Sequence, residues 1–193
     1  MRICKFTEAR MKQDRRVKYT KMVLRDSLIS IMKEKPIEKI AVKEICEGAD
    51  INRSTFYVHY ASPQDLLDSI KEEMYDEVKA SKGDFDDIVS LIGQLCDVFY
   101  SYRELLSIII RSVDNIGFLF RVCEVWKPDM LRELSAMGIE GERAEVIYLF
   151  IASGAASVLV AWATGGFRRT AEEMAAELEK LVLEGLGGYD KEG

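Results

Sequence analysis

Residues 52–60, Asn-Arg-Ser-Thr-Phe-Tyr-Val-His-Tyr, hold the side chains best suited to chemistry in this chain. Asn52 is a strong helix N-cap, so a short helix starts at Arg53 and runs to Tyr60. Phe56 and Tyr60 fall four apart and lock one side of that helix to a core, which leaves Arg53, Ser54, Thr55, Tyr57 and His59 facing outward. One Arg and small hydroxyls at a helix N-terminus suit base edges and phosphates in a major groove. Bond-making chemistry has less to work with. An enzyme needs a nucleophile–base pair, a phosphate loop or carboxylates converging in a cleft. The chain has one His, on the helix just described, and no Gly-rich phosphate loop. The acidic pairs Asp86-Asp87 and Glu172-Glu173 stand at helix starts, where they complement the dipole. Cys4, Cys46, Cys96 and Cys123 are far apart with no CxxC pair, so neither a zinc site nor a disulfide framework is expected. We expect no enzyme, no metal and no cofactor.

The charge distribution supports a polyanion partner for one part only. Residues 1–60 carry 14 Lys and Arg against 8 Asp and Glu, a net +6, and the other 133 carry 13 against 25, a net −12, giving −6 for the 193-residue chain. A basic first third on an acidic remainder indicates two parts with different tasks. Residues 1–19 lack the apolar stretch of a secretory signal, and reduced thiols fit a cytoplasmic protein. Val146–Ala163 is uncharged over 18 residues, at the short edge of a membrane span. A helix apolar on all sides also suits the buried seam of a helix-packed dimer, and no membrane role is expected.

Helical periodicity dominates and no alternating strand is evident, so the fold class is all-α with about nine helices. The spacing predicts a helix over Thr20–Lys35, ended by Pro36, and a short one over Val42–Gly48. A turn at Ala49-Asp50-Ile51 leads into Arg53–Tyr60. Ser62-Pro63-Gln64-Asp65 then opens a helix to about Ser81, with a hydroxyl cap, Pro at the first position and an early acid. Further helices are expected near Phe85–Tyr100, Arg103–Arg111, Asn115–Ala136, Glu142–Ala163 and Thr170–Leu186, the last capped by Thr170 with Glu173. The expected domains are a flexible extension at 1–15, a three-helix helix-turn-helix domain at 16–65, a connecting helix at 66–82 and a larger helical ligand-binding and dimerisation domain at 83–188.

Residues Arg16 to Leu67, ending INRSTFYVHYASPQDLL, resemble the DNA-binding domain of TetR-family bacterial transcriptional regulators. The stretch from Tyr148 through Gly154 and Trp162 to Leu186 is similar to a ligand-binding and dimerisation region of Firmicutes members. The resemblance implies a homodimer with each recognition helix in a major groove of a near-palindromic DNA operator. Tyr57 and His59 would contact phosphates, Arg53, Ser54 and Thr55 bases or phosphates, and Lys43 and Lys18 the flanking backbone. Three positions depart from the family pattern. Ala41 replaces a capping Thr, leaving the box with Glu44 incomplete, a loss of about 1 kcal/mol. Asp50 replaces a turn Gly, and Asp tolerates left-handed geometry. Pro63 replaces a frequent Lys, which puts one phosphate contact in question. Arg2, Lys5 and Arg10 could form a minor-groove arm or a disordered extension.

The acidic remainder would sense an effector. Phe99, Tyr102, Phe118, Arg121 and Tyr148 are candidates to line a small-molecule pocket, against the alternative that aromatics at helical spacing are core. Arg111 and Arg121 could anchor an anion or pair with Asp114 or Glu124. Cys96 and Cys123 could sense oxidants, or serve as small buried hydrophobes. Small and large residues combine in Ile151, Gly154, Ala155, Val158 and Trp162, and with Leu178 and Leu181 they could form a four-helix seam between subunits. The expected function is a repressor released by a small molecule. The alternative is a regulator of the same fold controlled by a protein coactivator.

Overall fold

The computed structural model describes the backbone of residues 2–83, 87–110 and 115–188, and the side chains within them except at 2–14, 115 and 116. The arm candidates Arg2, Lys5 and Arg10, together with Cys4, Asp86, Arg111 and Asp114, therefore lie outside the described side chains. Among the described residues there are ten α-helices and two 3₁₀ turns and no strand. The chain divides into two compact units, Met1–Met74 and Tyr75–Gly193.

The first unit contains α1 (Arg2–Met32), α2 (Val42–Ala49), α3 (Arg53–His59) and the first part of α4 (Pro63–Ser81). Helical backbone in α1 begins at Arg2, well before the Thr20 that the apolar stripe suggested, and it ends at Met32 rather than Lys35. Leu24 and Leu28 of α1 and Ile45 of α2 are fully buried, and the two helices pack on each other. Gly48 matters at this crossing: a Cβ there would collide with Ser27 Oγ. The Ser27 hydroxyl donates to the Ile45 carbonyl at 2.9 Å, tying the two helices beside Gly48.

Ten helices replace the expected nine because Asn115–Ala136 is not continuous. It forms α7 (Asn115–Cys123), a 3₁₀ turn at Glu124–Trp126 and α8 (Lys127–Ala136). Pro128 explains the break. Its ring cannot tolerate the carbonyl four residues back, which belongs to Glu124, and it has no amide to donate. In the second unit α5 (Ile88–Ser101) packs on α10 (Ala171–Leu186), while α9 (Gly141–Thr164) meets α6 (Arg103–Ile109), α7 and α8. Thr170 Oγ1 accepts from the Glu173 amide and Glu173 accepts from the Thr170 amide, so the expected capping box starts α10. The helix α9 is long and apolar enough to cross a membrane by length and composition, with 39% of its most apolar window buried.

Candidate nucleic-acid interface

The local chemistry of residues 41–60 builds a short helix presented on a turn. At the start of α2 only half a capping box survives. Glu44 accepts from the Ala41 amide at 3.0 Å, but Ala41 has no oxygen to return the bond. A hydrogen bond from Lys35, and then the Ala41 amide, hold the Glu44 carboxyl below its ordinary range. Asp50 closes α2 in the left-handed region, at φ 52° and ψ 43°, as its short polar side chain allows. Two residues later Asn52 Oδ1 accepts from the Ser54 amide at 3.0 Å and from the Ser54 hydroxyl at 3.1 Å, fixing the first turn of α3. Asn52→Ala removes that acceptor and is expected to lower stability by about 1 kcal/mol, read as a shift in the urea midpoint at unchanged slope.

Phe56 is fully buried and Tyr60 is 6% exposed, their rings tilted at 5.8 Å. Tyr57 meets the Phe56 ring edge-on at 5.6 Å but keeps 59% of its surface exposed. Arg53 and Ser54 are exposed, whereas Thr55 and His59 are half-buried at the borders of the outward face. Sequence reasoning passed over Val58, which is 77% exposed at the centre of that face. Its signal was available: position 58 lies midway between the inward residues 56 and 60, hence on the opposite side of the helix. An exposed β-branched methyl pair there can contact a thymine methyl.

Lys18 and Lys43 are both exposed, and Lys43 lies 3.6 Å from Glu47 one turn along α2. Lys43, Asp50, Asn52 and Arg53 also border a shallow concavity of about 420 Å³ at the turn. At the start of α4 the Ser62 hydroxyl accepts the Asp65 amide at 3.1 Å, and Asp65 accepts the Ala61 amide at 2.8 Å. This helix end carries a carboxylate and one spent donor where Pro63 already removes an amide, so it is a poor phosphate cradle.

In the second unit the expected pocket residues do not converge. Phe99 is fully buried and Phe118 is 8% exposed, both in the core. Tyr102 donates to Glu77 Oε2 at 2.7 Å, and the Arg121 guanidinium stacks over the Tyr75 ring at 4.2 Å. Both therefore hold the C-terminal part of α4. Tyr148 alone of the five lines a cavity of about 680 Å³ between α5, α8, α9 and α10. Six of the seven expected seam residues line it as well: Ile151, Gly154, Ala155, Val158, Leu178 and Leu181. Trp162 is instead 5% exposed, donates to the Arg169 carbonyl at 3.1 Å and packs with Tyr100 and Phe167. Cys96 and Cys123 are buried and burial pushes both thiols up to about 12, so neither offers the thiolate that an oxidant sensor needs. No group of three or more His, Cys, Asp or Glu able to hold a metal occurs among the described residues.

Residues 86–184 match a family described as the C-terminal region of TetR-type transcriptional regulators. No curated protein sequence matches significantly. Among solved structures, a TetR transcriptional regulator from Streptococcus agalactiae is similar at 23% identity and a TM-score of 0.68, covering 89% of this chain and 98% of its own. The dihydroxyacetone kinase operon activator DhaS shares 16% identity at a TM-score of 0.64, covering 87% and 96%. The fatty acid degradation regulator FadR from Bacillus halodurans shares 16% at 0.62, covering 86% and 96%. These structural likenesses carry the all-helical fold, and the family match covers more than half the sequence. The chain belongs to the TetR family of transcriptional regulators.

Proposed function

We propose that the protein is a cytoplasmic, sequence-specific DNA-binding regulator that acts as a homodimer on a near-palindromic operator and represses until a small molecule binds its C-terminal unit. The observation that carries the DNA reading is the division of α3. Phe56 and Tyr60 anchor it, while Arg53, Ser54, Tyr57 and Val58 stand outward on the basic part of the chain. Affinity then comes from phosphate neutralisation by side chains such as Lys18 and Lys43, and specificity from the α3 face. The boundaries 16–65, 66–82 and 83–188 remain our division of labour between reading DNA, connecting and sensing.

The cavity beside α9 supports the effector reading, and α4 supplies the route. Tyr102 and Arg121 grip its C-terminal part within the sensing unit, while its N-terminal part belongs to the unit that carries α3. An effector that favours the DNA-incompetent state by about 3 kcal/mol lowers operator affinity roughly a hundredfold. Genomic-fragment selection with purified protein, followed by anisotropy titration at two salt concentrations, tests the DNA reading. A palindromic site bound in the nanomolar range supports it, and binding that is weak and blind to sequence refutes it.

A coactivator-controlled regulator is the second reading, favoured by the exposed apolar residues Val146, Leu149 and Phe150 on α9. DhaS, similar in fold, is by its name an operon activator. A tight protein partner in pull-downs, together with transcription that rises when the protein is added, would select this reading over the first.

A further inference from the structure

The outermost ridge of α3 is built from two small side chains, one of them apolar. Ser54 and Val58 stand two residues either side of the buried Phe56, so each lies about 160° round the helix from it. The two are four apart and therefore sit one above the other on the same face. Arg53, Thr55, Tyr57 and His59 fall about 60–100° from Phe56, closer to the core side. Val58 is 77% exposed and Ser54 is exposed, whereas Thr55 and His59 are half-buried. Arg53 and Tyr57 reach outward along one flank of the ridge.

The ridge itself has little to offer a hydrogen-bonding partner. The Ser54 hydroxyl donates to Asn52 Oδ1 at 3.1 Å, so its proton is committed to the cap and its oxygen can only accept. Val58 has two methyl groups and nothing polar. Val also forms helix less readily than Ala, so at an exposed position of a seven-residue helix it does little for α3 itself. Duplex DNA is the occupant that the surroundings favour, because residues 1–60 carry a net +6 and the chain belongs to a family of transcriptional regulators. In the major groove the apolar group that a base edge presents is the thymine 5-methyl. Cytosine in its place presents an amino donor, which Val58 would desolvate without giving it an acceptor.

We infer that Val58 is a specificity-determining residue whose methyl groups pack on the 5-methyl of a thymine in each operator half-site. The inference rests on the DNA reading above and specifies one base of the site. Arg53 on the flank reads or holds its own position by hydrogen bonds, and Val58 adds selection by apolar contact, which needs no polar group on either side.

The test uses the full-length protein and the operator recovered by genomic-fragment selection, synthesised with its thymines replaced by deoxyuridine one symmetry-related pair at a time. That replacement removes the methyl and leaves every hydrogen-bonding group in place. At one pair of positions it is expected to weaken wild-type binding by roughly 4- to 15-fold in anisotropy titration. Val58→Ala is expected to bind the unmodified operator more weakly by a similar factor, and to lose less than about twofold further on the duplex modified at that pair. Exchanging the same T·A pairs for C·G weakens the wild type, and 5-methylcytosine there should recover about threefold or more for the wild type and nothing for Val58→Ala. Lys43→Ala, which alters phosphate binding, keeps the full deoxyuridine loss. Because Val58 is exposed, Val58→Ala should melt at the wild-type temperature, which separates lost contact from lost fold. Wild type and Val58→Ala losing equally at every deoxyuridine position, no position weakening the wild type, or Val58→Ala weakening operator and random duplex alike would each overturn the inference. In all three cases a tightly bound operator leaves the DNA reading standing. Recovery of no operator at all refutes the DNA reading and the Val58 assignment with it.

Discussion

Arg53→Ala is expected to weaken binding to the selected operator by roughly 10- to 100-fold while leaving the fold intact. The reasoning starts at the cap. Asn52 fixes the first turn of α3, so Arg53 projects from its first helical position and is exposed. A guanidinium there presents two parallel donors to a guanine edge or a phosphate, and Ala presents none. A base contact and a phosphate contact differ in what they do to other sequences. If Arg53 reads a base, the loss is confined to the operator and discrimination at one base position relaxes. Lys43→Ala provides the contrast, because removing a phosphate-binding charge from α2 weakens operator and random DNA alike and reduces the salt slope by about 1. Anisotropy titrations of both variants on operator and scrambled duplex at two salt concentrations separate the cases. Equal losses for Arg53→Ala on both duplexes would assign this side chain to the backbone and shift base readout to Ser54, Tyr57 and Val58.

The part of the chain to which we assign this readout is also the part the sequence makes most legible. Local chemistry determines it: a cap at Asn52, a left-handed turn at Asp50, and inward aromatics four apart all act within a few residues of themselves. Pattern reading fell short there only by leaving an apolar residue, Val58, out of the outward face. Longer-range features were harder to see. The break near Glu124 depends on Pro128 acting four residues upstream, and the continuous helical pattern of 115–136 masked it. The pocket residues failed to converge for a different reason. Phe99, Phe118 and Tyr148 are alike in sequence, all bulky and at helical spacing, but only tertiary packing decides which faces an empty space. Arg121 could not be read as a partner of Tyr75 because the two are 46 positions apart and carry no complementary charge. Small side chains beside large ones on α9 mark a surface that another helix can approach, and the proposed dimer seam rests on that pattern.

That surface gives the largest expected effect. Phe150 is 80% exposed, with Val146 at 61%, Leu149 at 54% and Leu181 at 60%, so α9 and α10 offer water a contiguous apolar face. A monomeric protein has little reason to keep such a face open. A second copy covers it economically, because a two-fold axis sets the same face against itself and Gly154 leaves room for close helix approach. Phe150→Asp then places two carboxylates, one from each subunit, in an apolar seam where charge is costly to bury. We expect the variant to sediment as a monomer at micromolar concentration, with its helical circular dichroism unchanged because residue 150 supports little of its own subunit's core. Operator affinity should fall by about 100- to 10,000-fold, since a lone unit gives up the second half-site and its effective concentration. Phe150 and Leu181 also line the groove beside Tyr148, so the same seam would cover that groove. A variant that remains dimeric, or a wild type already monomeric at that concentration, would move the dimer interface off α9 and leave this apolar face for the protein partner of the second reading.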